Sequence, residues 1–163
     1  MITVGINEFI DYDDYMDEKE LKVTGKAPVN CSYLFAKLKC ETLDLTELDT
    51  SDTIDVNCMF DDCKNLREIK GLNNFDVSKV TNIGYLFYNC HSLESLDLSG
   101  WNTGNVESIS GMFSTCHKLK EIKGLNDLNV SKVNNMSCMF ADCNSLKTID
   151  ISNWRTDSLE DTV

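Results

Sequence analysis

The chain has 163 residues, 42% of them hydrophobic and 26% charged, proportions that fit one folded domain with a sizeable core and exclude a disordered chain. With 27 Asp and Glu against 15 Lys and Arg, the formal net charge of −12 excludes the basic surface that direct nucleic-acid binding requires. No apolar run approaches the ~20 residues of a membrane-spanning helix. The opening residues lack the basic and apolar stretches of a secretory signal, so the expected location is cytoplasmic, or the cell surface if an export segment is missing from the sequence.

In chain order, residues 1–29 come first and read as an acidic N-terminal cap. Ile2, Val4 and Ile6, with Leu21 and Val23, are predicted to form a hairpin or a strand plus helix that covers the first coil of the repeat region. Charge is concentrated at this end: residues 1–62 hold 15 acids and 5 bases, whereas residues 63–163 hold 12 and 10. One acidic cluster contains Asp11, Asp13, Asp14, Asp17, Glu18 and Glu20. The other, from Glu41 through Glu47, Asp49, Asp52 and Asp55 to Asp61 and Asp62, has no Lys or Arg among its members. Such runs serve either as a solvated surface or as an acidic face that competes for a basic groove on another protein.

Residues 30–163 repeat. The pairs Leu34-Phe35, Met59-Phe60, Leu86-Phe87, Met112-Phe113 and Met139-Phe140 place phenylalanines 25, 27, 26 and 27 residues apart. Three residues after the last four of them stand Cys63, Cys90, Cys116 and Cys143. Leucine comes next at Leu66, Leu93, Leu119 and Leu146, and then apolar residues alternate as in a strand with one buried face. Five residues before the phenylalanines stand Asn30, Asp55, Asn82, Ser108 and Asn135, all residue types that cap helices, so each repeat is predicted to begin a short helical turn there. One such unit cannot bury its own apolar face, but a stack of them can. The predicted fold is an α/β, right-handed solenoid of about five coils, with a parallel sheet on one face, short helical turns on the other and an N-terminal cap.

The runs Asp76-Val77-Ser78-Lys79-Val80-Thr81-Asn82, Leu96-Asp97-Leu98-Ser99-Gly100-Trp101-Asn102-Thr103 and Met139-Phe140-Ala141-Asp142-Cys143-Asn144-Ser145-Leu146 resemble the BspA-like leucine-rich repeats, over roughly residues 30–159. The resemblance implies a leucine-rich-repeat fold and the role typical of that family, adhesion or binding of host components at a bacterial surface.

The residues between the apolar positions of successive strands are Asp44, Lys70, Asp97, Lys123 and Asp150, alternating in sign so that unlike charges are expected to face each other across the sheet. The Lys-Gly-Leu coils recur 53 residues apart and alone carry an extra residue before the turn. Trp101 and Trp154 occupy the place of Phe75 and Leu128, as core residues or as a recognition column. The recurring cysteines are expected as a buried column of reduced thiols. His91 and His117 come directly after Cys90 and Cys116 but should point to the opposite side, and they share a repeat position with Lys64 and Asn144. No nucleotide-binding, nucleophile-elbow or EF-hand motif is present, so no catalytic, cofactor or metal residue is assigned. The last coil lacks a further Met-Phe segment, and its edge is expected to be covered by the tail or by another copy.

The expected function is a non-catalytic protein-binding module, an inhibitor or adaptor acting on a basic, nucleic-acid-handling protein, with phage anti-defence as one setting. Its candidate contact residues are Asp11, Asp13, Asp14, Asp17, Glu18, Glu47, Asp49, Asp52, Asp61 and Asp62. The alternative is a surface adhesion module.

Overall fold

The computed structural model describes residues 1–9 and 17–156. The chain winds into a parallel β-solenoid of about five coils preceded by a capping strand and helical turn. In chain order the elements are β1 (Ile2–Gly5), α1 (Ile6–Phe9), β2 (Glu20–Lys26), β3 (Thr42–Asp49), β4 (Glu68–Lys70), β5 (Ser95–Asp97) and β6 (Glu121–Lys123), with short 3-10 turns at Leu72–Asn74 and Leu125–Asp127. The cap is a strand plus helix: β1 pairs in parallel with β2, and Val4, Ile6, Leu21 and Val23 are buried against the first coil.

The strands form two sheets, β1-β2-β3-β4 and β5-β6. Leu43 pairs with Ile69 and Leu96 with Ile122, 26 residues apart in each case, whereas the step from Ile69 to Leu96 is 27 and carries no strand pairing. The extra residue is taken up by the 3-10 turn just after each Lys-Gly-Leu corner. The expected charge ladder is therefore real but interrupted. Lys22, Asp44 and Lys70 lie in register, as do Asp97 and Lys123, while Lys70 turns to Glu68 on its own strand.

The opposite face departs from the predicted helical turns. The capping residues do act as predicted at the first step: the side-chain oxygens of Asn30, Asp55, Asn82 and Asn135 accept the backbone N–H two residues on, at 2.7–3.1 Å. No helix forms beyond that step, because alternate N–H groups leave the coil. Phe35, Phe60, Phe87 and Phe113 donate to the carbonyls of Met59, Leu86, Met112 and Met139 in the next coil, while neighbouring residues close local turns by donating to the carbonyl three residues earlier, as Ala36 does to Tyr33. This path requires a left-handed backbone at every fourth residue, for example Tyr33 and Lys37, Cys58 and Asp62, Tyr85 and Asn89. Left-handed backbone costs roughly 1 kcal/mol or more at a non-glycine residue. Here it is offset because the N–H of each of these residues also bonds to the next coil, as in Lys37 to Asp61 at 2.7 Å and Asp62 to Tyr88 at 2.9 Å.

Inside, the repeats stack like with like. The rings of Phe35, Phe60, Phe87, Phe113 and Phe140 stand face to face with centroids 5.4–5.9 Å apart. Beside them Cys63, Cys90, Cys116 and Cys143 each donate the thiol to the carbonyl of the phenylalanine one coil back, at 3.0–3.1 Å. All eight cysteines are free thiols. Burial raises the pKa of Cys90 and Cys116, and that of Cys40 to about 12, so these sulfurs are poor nucleophiles. Alkylation of the native protein by iodoacetamide is expected to modify the exposed Cys138 first and to leave Cys63, Cys90 and Cys116 untouched until unfolding. Mass spectrometry of the digested protein reads this directly, and early labelling of Cys90 would contradict the column. Trp101 is a core residue, buried with its indole N–H donated to the Leu72 carbonyl at 2.9 Å, and Trp154 repeats the contact on Leu125 at 3.0 Å. At the C-terminal end the core opens: Phe140, Cys143 and Leu146 are half-buried and Ile149 and Ile151 are exposed, with no further coil among the described residues.

Corners are closed by carboxylates. Asp76 and Asp97 are held below the usual carboxylate range by the hydroxyls and N–H groups of Ser78 and Ser99, and Asp150 by the N–H and hydroxyl of Ser152. A carboxylate depressed in this way stabilises the fold above its unfolded pKa and loses that contribution as pH falls through the lower folded value. The melting temperature is therefore expected to drop between about pH 5 and about pH 3. A constant melting temperature across that window would contradict the capping role.

Candidate functional site

Three columns of charge run along the solenoid, and they alternate together. Before the strands stand Lys19, Glu41, Arg67, Glu94 and Lys120, with ion pairs from Glu41 to Lys19 (3.9 Å) and Arg67 (3.6 Å) and from Lys120 to Glu94 (2.6 Å). On the strands stand Lys22, Asp44, Lys70, Asp97 and Lys123. At the next corner stand Lys26, Asp52, Lys79, Asn105 and Lys132, where Asp52 holds both lysines beside it and Lys132 bonds Asn105 at 2.8 Å. Basic and acidic positions thus alternate from Lys19 to Lys120 and from Lys22 to Lys123, whereas Asn105 is neutral and Lys147 repeats the sign of Lys120. Each exposed pair contributes only ~0.2–1 kcal/mol, but a coil slipped by one place would set like charges against each other in the first two columns.

This arrangement absorbs many of the acids expected to face a partner. Asp17 pairs with Lys39 at 3.5 Å, Asp62 with Lys64 at 3.0 Å, Glu47 with Lys22, and Asp52 with Lys26 and Lys79. The cluster from Glu41 to Asp62 has no lysine in its own stretch, yet neighbouring coils supply them. Asp49 closes a corner by accepting the Ser51 N–H at 2.9 Å, which lowers its pKa. Glu18 is half-buried. Asp11, Asp13 and Asp14 lie outside the described residues. Asp61 differs from the rest in its titration: burial and then the adjacent Asp62 raise its pKa against the pull of Lys37 and Lys64, and, like Glu18 and Asp49, it forms no ion pair with a lysine or arginine among the described residues.

Asp61 lies in the most apolar part of the exposed turn face. Two residues before each phenylalanine the column reads Tyr33, Cys58, Tyr85, Gly111 and Cys138, and one residue after it Ala36, Asp61, Tyr88, Ser114 and Ala141. Tyr33 is 56% and Tyr85 42% exposed. Tyr85 packs edge-on to Tyr88 with centroids 5.7 Å apart and lies over Gly111, where an added Cβ would come within 2.5 Å of its ring. The Tyr33 hydroxyl engages Cys58, which raises the phenol pKa, with Asp61 contributing in the same direction. One corner away Val29 and Ile54 are more than half exposed and adjacent, the Ile54 N–H bonding the Val29 carbonyl at 2.8 Å. Sequence reasoning passes over these tyrosines, although the alternation of bulky and small residues in this column is visible along the chain.

The histidines lie on the outside and the cysteines next to them in the core. His91 and His117 stack at 4.6 Å, and His117 Nδ1 lies 3.0 Å from the Asp142 carbonyl, while Cys90 and Cys116 are fully buried. No group of three metal-ligating side chains converges among the described residues, and no helix among them is long and apolar enough to cross a membrane.

A search of curated proteins returns no match, and neither does a search of solved structures. A family model described as "Mycoplasma protein of unknown function, DUF285" matches residues 29–154 and, again, residues 121–163. Together these matches span all the coils, and the chain belongs to that family of BspA-like repeat proteins.

Proposed function

We propose that this chain is a non-catalytic protein-binding module of leucine-rich-repeat type, an inhibitor or adaptor that engages a basic, nucleic-acid-handling protein inside the cell. The observation that carries the reading is the surplus of negative charge in residues 1–62, 15 acids against 5 bases, mounted on a rigid stack of coils. A surface of fixed side chains in register favours recognition, and its charge favours a cationic partner and rapid encounter. The regular columns are scaffold, so the contact is expected from positions where the repeat is irregular.

Affinity capture from nuclease-treated lysate of the source cells, at low and at high salt, tests the reading. A basic protein retained at low salt, released at high salt and lost from a variant with Asn at Asp49, Asp61 and Asp62 supports it. The resemblance of the repeats to BspA-like leucine-rich repeats favours a second reading, surface adhesion. Salt-insensitive capture of extracellular glycoproteins, with no intracellular partner, would replace the first reading by the second.

A further inference from the structure

We infer that the turn face of the first three coils is a docking site for an arginine-bearing segment of a protein partner. The inference rests on the binding-module reading and assigns it a face. Three observations converge. The exposed side chains Val29, Tyr33, Ile54 and Tyr85 and the half-buried Tyr88 lie within residues 29–88. At the equivalent positions of later coils stand Gly111, Cys138, Ser114 and Ala141, with Glu107 and Asn134 in the place of Val29 and Ile54, so the patch is not a requirement of the repeat. Asp61 stands within it, half-buried and without an ion-pair partner among the described residues, whereas lysines hold Asp17, Glu41, Glu47, Asp52 and Asp62 at this end.

A group that satisfies both features must be cationic, flat and able to lie on aromatic faces. A guanidinium does this: it stacks on tyrosine and donates two parallel N–H groups to one carboxylate. An ammonium supplies the charge without the stacking plane or the fork, so arginine is favoured over lysine at equal charge. Exposed tyrosines also lose little side-chain freedom when covered, which makes them effective anchors.

The test is fluorescence anisotropy with two labelled peptides of equal length and charge, one alternating Arg and Gly, the other Lys and Gly. The arginine peptide is expected to bind the full chain about fivefold more tightly. Tyr85→Ala and Asp61→Asn are each expected to weaken it about fivefold to tenfold, whereas Glu121→Gln and Asp127→Asn, both with the same charge change as Asp61→Asn but away from this patch, stay within about twofold. Asp61→Asn is isosteric and guards against a folding defect in the tyrosine variant, with a thermal melt run on each. Equal affinity for both peptides, or equal losses in site and control variants, overturns the assignment of this face and leaves a basic partner in place. Failure of both peptides to bind at low salt overturns both the face and the reading beneath it.

Discussion

Phe87→Ala is expected to destabilise the protein by about 3–5 kcal/mol, the range for truncating a buried aromatic residue. Phe87 has no exposed surface and stands between Phe60 and Phe113, with centroid distances of 5.4 and 5.9 Å. Its loss opens a cavity in the middle of a stack in which each coil contacts only its neighbours, so two interfaces are damaged at once. Its carbonyl accepts the Cys116 thiol at 3.1 Å, and that bond depends on the same local placement. At this chain length the change lowers the melting temperature by roughly 10 °C. Phe140→Ala is the comparison, because Phe140 is half-buried and, among the described residues, stacks on Phe113 alone, and it is expected to cost clearly less. Equal losses at the two positions would contradict a continuous aromatic stack.

Gly71→Ala carries the second large effect. Gly71 has a φ of 78°, and a Cβ there would stand 2.6 Å from the Thr46 backbone, with the chain of the previous coil unable to retreat without breaking β3 from β4. Backbone strain of roughly 1–2 kcal/mol adds to steric overlap of roughly 1–3 kcal/mol. Gly124 repeats the geometry two coils later, against Ser99, and Gly124→Ala is expected to behave alike. Gly104→Ala is the control. Its φ is not left-handed, and its nearest contact is the Asn102 side chain at 3.4 Å, so chemical denaturation is expected to find it within about 1 kcal/mol of the parent. A Gly71 variant as stable as the Gly104 variant would mean that the Lys-Gly-Leu corner is not a tight junction.

The coil count, the phenylalanine and cysteine columns, the buried tryptophan position and the strand-borne charge ladder can all be read from the spacing of Phe35, Phe60, Phe87, Phe113 and Phe140. Repeats make such reading dependable because one register fixes every column. The turn face is harder. Asn30, Asp55, Asn82 and Asn135 signal a cap equally well ahead of a helix or a chain of turns, and the choice is made by hydrogen bonds to the next coil, which no single repeat contains. The gap between β4 and β5 is hidden for a related reason: the extra residue of the Lys-Gly-Leu coils is visible, but not where the backbone absorbs it.

For the candidate site the sequence misleads in a specific way. Charge read along the chain joins Glu47, Asp49, Asp52, Asp61 and Asp62 into one acidic run, but in a solenoid the electrostatic neighbour of a residue lies some 26 positions away. Lys22, Lys26 and Lys79 reach Glu47 and Asp52 in that way. What remains distinctive is the place where a column breaks its rule, at Tyr33, Tyr85 and Tyr88 around Asp61.

Amide chemical-shift mapping of the isotope-labelled protein, titrated with the arginine peptide, examines that surface directly. The predicted result is a set of shifts confined to residues 29–37, 54–62 and 84–89, with the strands β5 and β6 unmoved. Shifts spread evenly over the acidic residues, or centred on the sheet face at Glu121–Lys123, would contradict recognition through the turn face.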